Sequence, residues 1–146
     1  MVRVGELGRG RWHRGAVLAV VASVLLAGAP AAAADPLGEC QVTTPSEVAA
    51  TDCLRADLAA ADQVMAAALE RVQAQADELD RVTGRPEARA AVDASQTQWQ
   101  AFREADCRVR AALAAGASGS GRFALACAVS LARVRAAELT ALTSER

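Results

Sequence analysis

Three long stretches of this chain place apolar residues at helical spacing, and two short glycine-containing breaks separate them. In the first stretch the apolar residues recur three, four or seven positions apart, as one face of an α-helix requires. These residues are Leu54, Leu58, Ala61, Met65, Ala68, Val72 and Leu79. Strand signals are scarce, because β-branched residues are few and no segment alternates apolar and polar residues. The pattern predicts an all-α fold.

Capping and turn residues predict where the helices begin and end. The first helix should begin at residues 43–47, where hydroxyl side chains precede Pro45 and Glu47, and it should end at Gly84. The second should run from about residue 86 to 115, and the third from about 122 to 142. Short breaks make neighbouring helices antiparallel. The sequence therefore predicts a three-helix antiparallel bundle.

Apolar residues of the second and third helices are predicted to point inward. They are Val92, Trp99, Phe102, Val109 and Leu113 on the second helix, and Phe123, Cys127, Leu131, Val134 and Leu142 on the third. Trp99 and Phe102 are three residues apart and are expected to anchor the core. An exposed binding surface is the alternative for this aromatic pair. Solvated i,i+4 ion pairs are expected for Glu104 with Arg108 and for Asp106 with Arg110.

The first 34 residues have the pattern of a secretory signal. Four arginines precede an uncharged apolar run from Ala16 to Ala29, and three alanines end the segment at Ala34. The run is shorter than the ~20 residues that span a membrane. We expect cleavage after Ala34, with residues 35–146 as one helical domain and no stable membrane insertion afterwards. Retention as an N-terminal anchor is the alternative. The expected location is outside the cell, in the periplasm or elsewhere in the cell envelope.

All four cysteines lie beyond this segment, at positions 40, 53, 107 and 127. An even number of cysteines in an exported chain predicts two disulfides. A zinc site is the rival interpretation, but the close cysteine pairs typical of such sites are absent. Four cysteines allow three pairings. We favour Cys40–Cys53 and Cys107–Cys127, because each closes a local loop and because Cys107 and Cys127 lie at similar distances from the break between their helices.

Composition excludes several kinds of function. The first 34 residues contain four of the 16 arginines and one of the 17 acidic residues. Residues 35–146 therefore have 12 arginines against 16 acidic residues, which gives a net charge of about −4. A mildly acidic domain without a basic block is not expected to bind nucleic acid. The remaining 112 residues contain no His, Lys or Tyr, so the usual neutral-pH base and the amine nucleophile are missing. We expect no catalytic residues, no metal and no cofactor.

Two arginines and one connector are candidates for a specific role. Arg103 and Arg135 are each either solvated or paired with a carboxylate on the first helix, such as Asp57 or Asp62, and we favour a structural pairing over a functional role. The glycine- and serine-rich connector at 115–121 follows a helix and precedes no lysine, so it is not a phosphate loop. Either it is a plain linker or it presents a partner-binding tip. The candidate partner-binding residues are Ser118, Ser120 and Arg122.

One segment and its continuation resemble a known family. The segment has Gln96, Trp99, Phe102-Arg103-Glu104 and Cys107, and after the glycine-rich break come Cys127, Leu131, Arg135 and Leu139. This pattern is similar to the lysozyme inhibitor LprI-like family of exported bacterial proteins. The likeness covers about Cys40 to Leu139, although Ala66 and Ala68 or Leu69 stand where the family usually has Asn and Tyr.

The resemblance implies a non-enzymatic protein that binds lysozyme and blocks it. Lysozymes are commonly basic and cleave glycans with two carboxyl groups in a cleft. A connector entering that cleft, with Arg122 meeting a carboxylate, is the expected mechanism. The alternative function is a structural or protein-interaction module of the cell envelope that has no affinity for lysozyme.

Overall fold

A computed structural model describes residues 35–114 and 119–144 of the chain, and their regular structure is entirely helical. The helices are α1 (Pro36–Thr43), α2 (Glu47–Thr83), α3 (Ala88–Leu113) and α4 (Ser120–Ser144). The all-α prediction is confirmed, but four helices are present in these ranges where three were predicted. The predicted signal segment lies outside the described residues. None of the described helices is both long enough and apolar enough to cross a membrane.

Helix α1 is the element that the sequence pattern missed. Asp35 caps it, since its carboxylate accepts a hydrogen bond from the Gly38 N–H at 3.2 Å, and Pro36 occupies the first turn. Eight residues are too few to show a helical period. Cys40 is almost fully buried and is bonded to Cys53, and Leu37 packs on the core cluster around this bridge, so a disulfide and an apolar contact together hold α1 in place.

The ends of α2 follow the predicted capping residues. The Ser46 hydroxyl accepts a hydrogen bond from the Ala49 N–H at 3.2 Å. At the other end, Gly84 adopts a left-handed φ of 68°, and its N–H donates to the Asp80 carbonyl at 2.9 Å. Glycine adopts this conformation without the steric cost that other residues incur.

Helix α3 is capped by a residue of the preceding helix. The Asp80 carboxylate accepts hydrogen bonds from the N–H groups of Glu87, Ala88 and Arg89, at 3.2, 2.8 and 3.0 Å. The side chain of Glu87, the residue at the cap position itself, makes no capping bond. Hydrogen bonds from the backbone of Arg89 and Ala88 lower the pKa of Asp80 below its ordinary value of 3.8. Asp80 therefore joins the end of α2 to the start of α3.

The three long helices pack side by side, with α3 antiparallel to α2 and α4, which are parallel to each other. Pairs of contacting residues establish these directions. The pairs are Asp62–Arg103 and Asp77–Arg89 between α2 and α3, Gln96–Arg135 and Cys107–Cys127 between α3 and α4, and Glu47–Arg122 and Asp57–Arg133 between α2 and α4. The N-terminal ends of α2 and α4 thus lie at the same end of the bundle as the C-terminal end of α3.

Two clusters of mostly small, buried side chains lie within the core. One surrounds the bridge of α1 and contains Cys40, Ala50, Leu54 and Ala126. The other lies toward the opposite end and contains Met65, Ala68, Val72, Ala136 and Leu139. Because alanines occupy much of the interface between α2 and α4, these helices can approach closely but bury little area per residue.

The predicted inward faces of α3 and α4 are wrong at several positions. Phe102 is 54% exposed and Leu113 is 83% exposed, and Val109, Phe123, Val134 and Leu142 are also exposed. Trp99, by contrast, is half-buried and packs on the second core cluster. Helix α3 turns a partly polar face toward its neighbours, with Gln96 and Cys107 as its buried residues. The prediction failed because apolar spacing shows that a helix has an apolar face but not which neighbour that face meets.

Candidate functional site

Trp99 lies at the centre of a cluster formed by α2, α3 and α4. The guanidinium carbon of Arg103 is 4.9 Å from the centroid of the Trp99 ring, and that of Arg135 is 5.9 Å away. Both distances suit cation–π attraction, which contributes about 0.5–2 kcal/mol depending on desolvation. Arg103 comes from the same helix as Trp99, whereas Arg135 comes from α4.

Arg103 also joins α3 to α2. Its Nη1 donates a hydrogen bond to the Asp62 carboxylate at 2.6 Å, and its side chain is largely shielded from solvent. Asp62 is one of the two carboxylates that the sequence suggested for this arginine. Asp57, the other, pairs instead with Arg133 of α4 at 3.1 Å. The Arg103 contact is a charged link between two helices, of the strong, charge-assisted kind.

Gln96 is a member of this cluster that sequence reasoning did not select as a site residue. Its amide oxygen accepts a hydrogen bond from Arg135 Nε at 3.2 Å, and its side chain is buried. Arg135 donates further hydrogen bonds to Ser95 at 3.0 Å and Glu138 at 3.3 Å, so it pairs on α3 and α4 and not with Asp57 or Asp62. One feature of the sequence could have identified Gln96: it lies one helical turn before Trp99, on the same side of the helix.

The polar side chains of the cluster satisfy one another. Among the described residues, every buried side-chain nitrogen or oxygen has a hydrogen-bond partner. Buried polar groups that are fully paired fix the register of the elements they join. The arrangement of Trp99, Arg103 and Arg135 is therefore suited to cross-linking three helices.

Both disulfides have the pairing that we favoured from the sequence. The Cα atoms are 5.8 Å apart in Cys40–Cys53 and 5.5 Å apart in Cys107–Cys127, both within the ordinary range. Asp57 lies close enough to the first pair to complete a three-residue group of metal-ligand types. The bridge removes both thiolates, however, and thiolate is the form in which cysteine binds metal.

The described residues on either side of the connector between α3 and α4 are held by contacts with the rest of the bundle. Cys107 and Cys127 join the two helices near the connector, and Arg122 reaches across to the start of α2. The Arg122 side chain is 13% exposed, and its Nη2 lies 2.8 Å from the Glu47 carboxylate. Gly119 is also buried, and a Cβ atom there would collide with the Arg122 guanidinium.

The three candidate partner-binding residues thus differ in position. Ser118 lies outside the described residues. Ser120 is the first residue of α4 and is half-buried. Arg122 lies within the first turn of α4 and is engaged by Glu47. The structure brings Ser120 and Arg122 to the connector end of the bundle, about 20 Å or more from Trp99 if the 1.5 Å rise per helical residue is applied.

Comparison with known proteins gives one result. No curated protein and no solved structure matches the chain significantly. The family described as lysozyme inhibitor LprI matches residues 39–139, which cover most of the chain and contain the tryptophan cluster, both disulfides and the connector. The chain therefore belongs to the lysozyme inhibitor LprI family.

Proposed function

We propose that this protein is an exported inhibitor that binds lysozyme directly and carries out no chemical step. Membership in the family is the observation on which the proposal rests. Composition supports it, because the domain after residue 34 contains no His, Lys or Tyr, and binding requires none of them. A net charge of about −4 over that domain also favours encounter with a basic enzyme.

The connector end of the bundle is the proposed contact surface. Preorganised segments bind more tightly, because less conformational entropy is lost on association. Here the Cys107–Cys127 bridge and the Arg122–Glu47 ion pair hold the two ends of the connector. We assign Arg122 the role of fastening the connector, since its guanidinium is already paired. We assign residues 115–118 the role of meeting the enzyme cleft.

The central test is an inhibition assay. Purified protein in stoichiometric excess should slow the lysis of bacterial cell walls by a c-type lysozyme. A variant lacking residues 116–118 should lose most of this effect while keeping its helical circular dichroism. Full inhibition by that variant would refute the connector mechanism but leave the inhibitor proposal intact. Absence of inhibition by the wild type against several lysozyme types would refute the proposal itself.

The role of Arg122 can be tested with a matched arginine. Arg122→Ala should weaken inhibition roughly tenfold, which corresponds to about 1.4 kcal/mol, because the connector loses its tie to Glu47. Arg85→Ala removes an exposed arginine from the loop at the opposite end of the bundle and should leave the inhibition constant unchanged. Equal effects of the two substitutions would show that net charge, and not the fastening of the connector, controls inhibition.

A second candidate function is a protein-interaction module without affinity for lysozyme. The exposed apolar residues of α3 favour it, because contiguous apolar surface on a soluble domain often marks a protein contact. Co-purification of a specific protein from intact cells, together with no effect on lysozyme, would support this alternative.

A further inference from the structure

Asp57 lies beside the Cys40–Cys53 bridge and completes a group of three side chains of metal-ligand type. The two sulfurs and a carboxylate oxygen of Asp57 all lie within 4.8 Å of one another. Cys53 and Asp57 are four residues apart on α2, so they share one side of that helix, and Cys40 reaches them from α1. Within residues 35–114 and 119–144, no other group of three such side chains is this close.

The spacing of these atoms approaches that of a tetrahedral zinc site. Zn–S bonds of about 2.3 Å and Zn–O bonds of about 2.0–2.2 Å separate neighbouring ligand atoms by about 3.4–3.8 Å at tetrahedral angles. The Asp57 oxygen lies no more than 4.8 Å from either sulfur, so a side-chain shift of about 1–1.5 Å is sufficient. Opening the covalent bond lets the two sulfurs move apart to the same spacing.

We propose that the reduced form of this protein binds Zn²⁺ through the Cys40 and Cys53 thiolates and the Asp57 carboxylate. Two thiolates with one carboxylate suit zinc, whereas Mg²⁺ and Ca²⁺ prefer ligand sets made of oxygen. Water would complete the tetrahedron, because three protein ligands leave the fourth position open. The site exists only while both cysteines are thiols, and it is independent of the proposed binding of lysozyme.

Opening of the bridge requires two electrons and two protons. A dithiol reductant supplies both, is itself oxidised to a disulfide, and leaves Cys40 and Cys53 as thiols. Zn²⁺ then displaces one proton from each thiol, and these protons pass to the solvent. The chain also has both thiols before its bridge first forms, and no reductant is needed at that stage.

Arg133 of α4 positions Asp57 and balances the charge of the site. Its Nη2 donates a hydrogen bond to Asp57 Oδ2 at 3.1 Å, and a carboxylate has enough lone pairs to meet an ion as well. Outer partners of this kind orient metal ligands. Two thiolates and Asp57 supply three negative charges, and Zn²⁺ with Arg133 supplies three positive ones. Glu39 also contacts Arg133 at 3.4 Å, but its side chain is 52% exposed, so its charge is screened.

The site has a route from solvent, which a metal site requires. Cys40 is 1% exposed, but Cys53 and Asp57 are half-buried. Asp57 also lines a groove between α2 and α4, beside Ala60 and Arg133. An ion can therefore meet Asp57 first and then the sulfurs behind it. Once bound, Zn²⁺ would join α1 to α2 in place of the disulfide.

Co²⁺ is a suitable probe, because tetrahedral cobalt with thiolate ligands has a strong charge-transfer absorption band. The purified protein, reduced and then freed of reductant under nitrogen, should bind one equivalent of Co²⁺ and show this band. Zn²⁺ should abolish the band by displacing Co²⁺, and the oxidised protein should not show it. A reduced protein without the band would overturn the proposal. Equal binding of Co²⁺ by the reduced protein in urea would also overturn it, because the folded arrangement of α1 and α2 would then be irrelevant.

Substitutions in the reduced protein identify the ligands. Cys53→Ser should abolish the band, and a band that persists would contradict the assignment. Asp57→Asn should raise the dissociation constant for Co²⁺ at least roughly tenfold, the cost at which loss of even a supporting residue begins.

Two matched carboxylates serve as controls for Asp57. Glu39→Gln removes the other carboxylate that contacts Arg133 but no proposed ligand. Asp106→Asn removes the carboxylate beside Cys127 of the second bridge, where no three-ligand group is formed by the described residues. Both variants should bind Co²⁺ as the wild type does. Equal effects of all three substitutions, or no effect of Asp57→Asn, would rule out Asp57 as the third ligand and overturn the site as proposed.

Discussion

At the scale of single residues, Trp99 and Phe102 show how two aromatic side chains one turn apart can differ. Trp99 is half-buried, packs on the core and contacts two guanidinium groups. Phe102 lies 54% exposed on the outward side of the same helix. The difference arises because the inward direction of α3 is set by Gln96 and Cys107, and Phe102 is turned well away from both.

This difference predicts unequal costs of substitution. Trp99→Ala should lower the free energy of unfolding by about 2–4 kcal/mol, because it removes packing area and both cation–π contacts. Phe102→Ala, the matched control, should cost less than about 1 kcal/mol. Urea denaturation followed by circular dichroism measures both values. A similar cost for the two substitutions would contradict the placement of Phe102 on the surface.

At the scale of the helix, the start of α3 depends on a carboxylate that another helix supplies. Asp80 accepts three backbone hydrogen bonds there, and its pKa is lowered below 3.8. Because its pKa in the folded protein is below that in the unfolded chain, Asp80 stabilises the fold fully above the unfolded value. That stabilisation is lost as pH falls through the folded pKa.

The lowered pKa of Asp80 determines how the stability of the protein should depend on pH. Asp80→Asn should lower the melting temperature by a few degrees at pH 7, and its difference from the wild type should shrink below about pH 4. Thermal melts from pH 7 to pH 3 would measure this. Glu87→Gln is the control, because the Glu87 side chain makes no capping bond although it occupies the cap position. A difference between Asp80→Asn and the wild type that is as large at pH 3 as at pH 7 would contradict the role of the charge.

The ends of α2 could be predicted because capping chemistry is local. Ser46 and Gly84 act within a few residues of their own positions. The cap of α3 could not be predicted, since it depends on how the turn after Gly84 folds back on Asp80. The pairing of Arg103 with a carboxylate of α2 could be predicted from the sequence, because long basic side chains often form ion pairs with acidic residues on neighbouring helices. The exposure of Val109 and Leu113 could not be predicted, because the spacing of apolar residues does not show which side of a helix faces the bundle.

At the scale of the whole molecule, the two disulfides lie toward the same end of the bundle. Cys53 is near the start of α2, Cys107 is near the end of α3, and Cys127 is near the start of α4. The opposite end contains the turn at Gly84, and the second core cluster, Asp80 and ion pairs such as Arg89–Asp77 hold the helices together there. Covalent links therefore reinforce the end that carries the connector.

Removing either bridge should destabilise the protein. Loops of 13 and 20 residues correspond to about 3 kcal/mol each in the entropy model. Replacing Cys107 and Cys127 together by alanine should lower the free energy of unfolding by about that amount, as measured by denaturant titration. It should also weaken lysozyme inhibition more than the Cys40–Cys53 double replacement does, because only the former bridge flanks the connector. Equal inhibition by the two variants would argue against the connector as the contact surface.

The Cys107–Cys127 bridge has a further consequence for how the molecule can be cut. A protease that hydrolyses one peptide bond between residues 115 and 118 would produce two chains that remain joined through sulfur. Such a nicked protein would migrate as one species on a non-reducing gel and as two after reduction. It would retain its four helices and lose only the continuity of the connector, so limited proteolysis could separate the connector's part in inhibition from any part in folding.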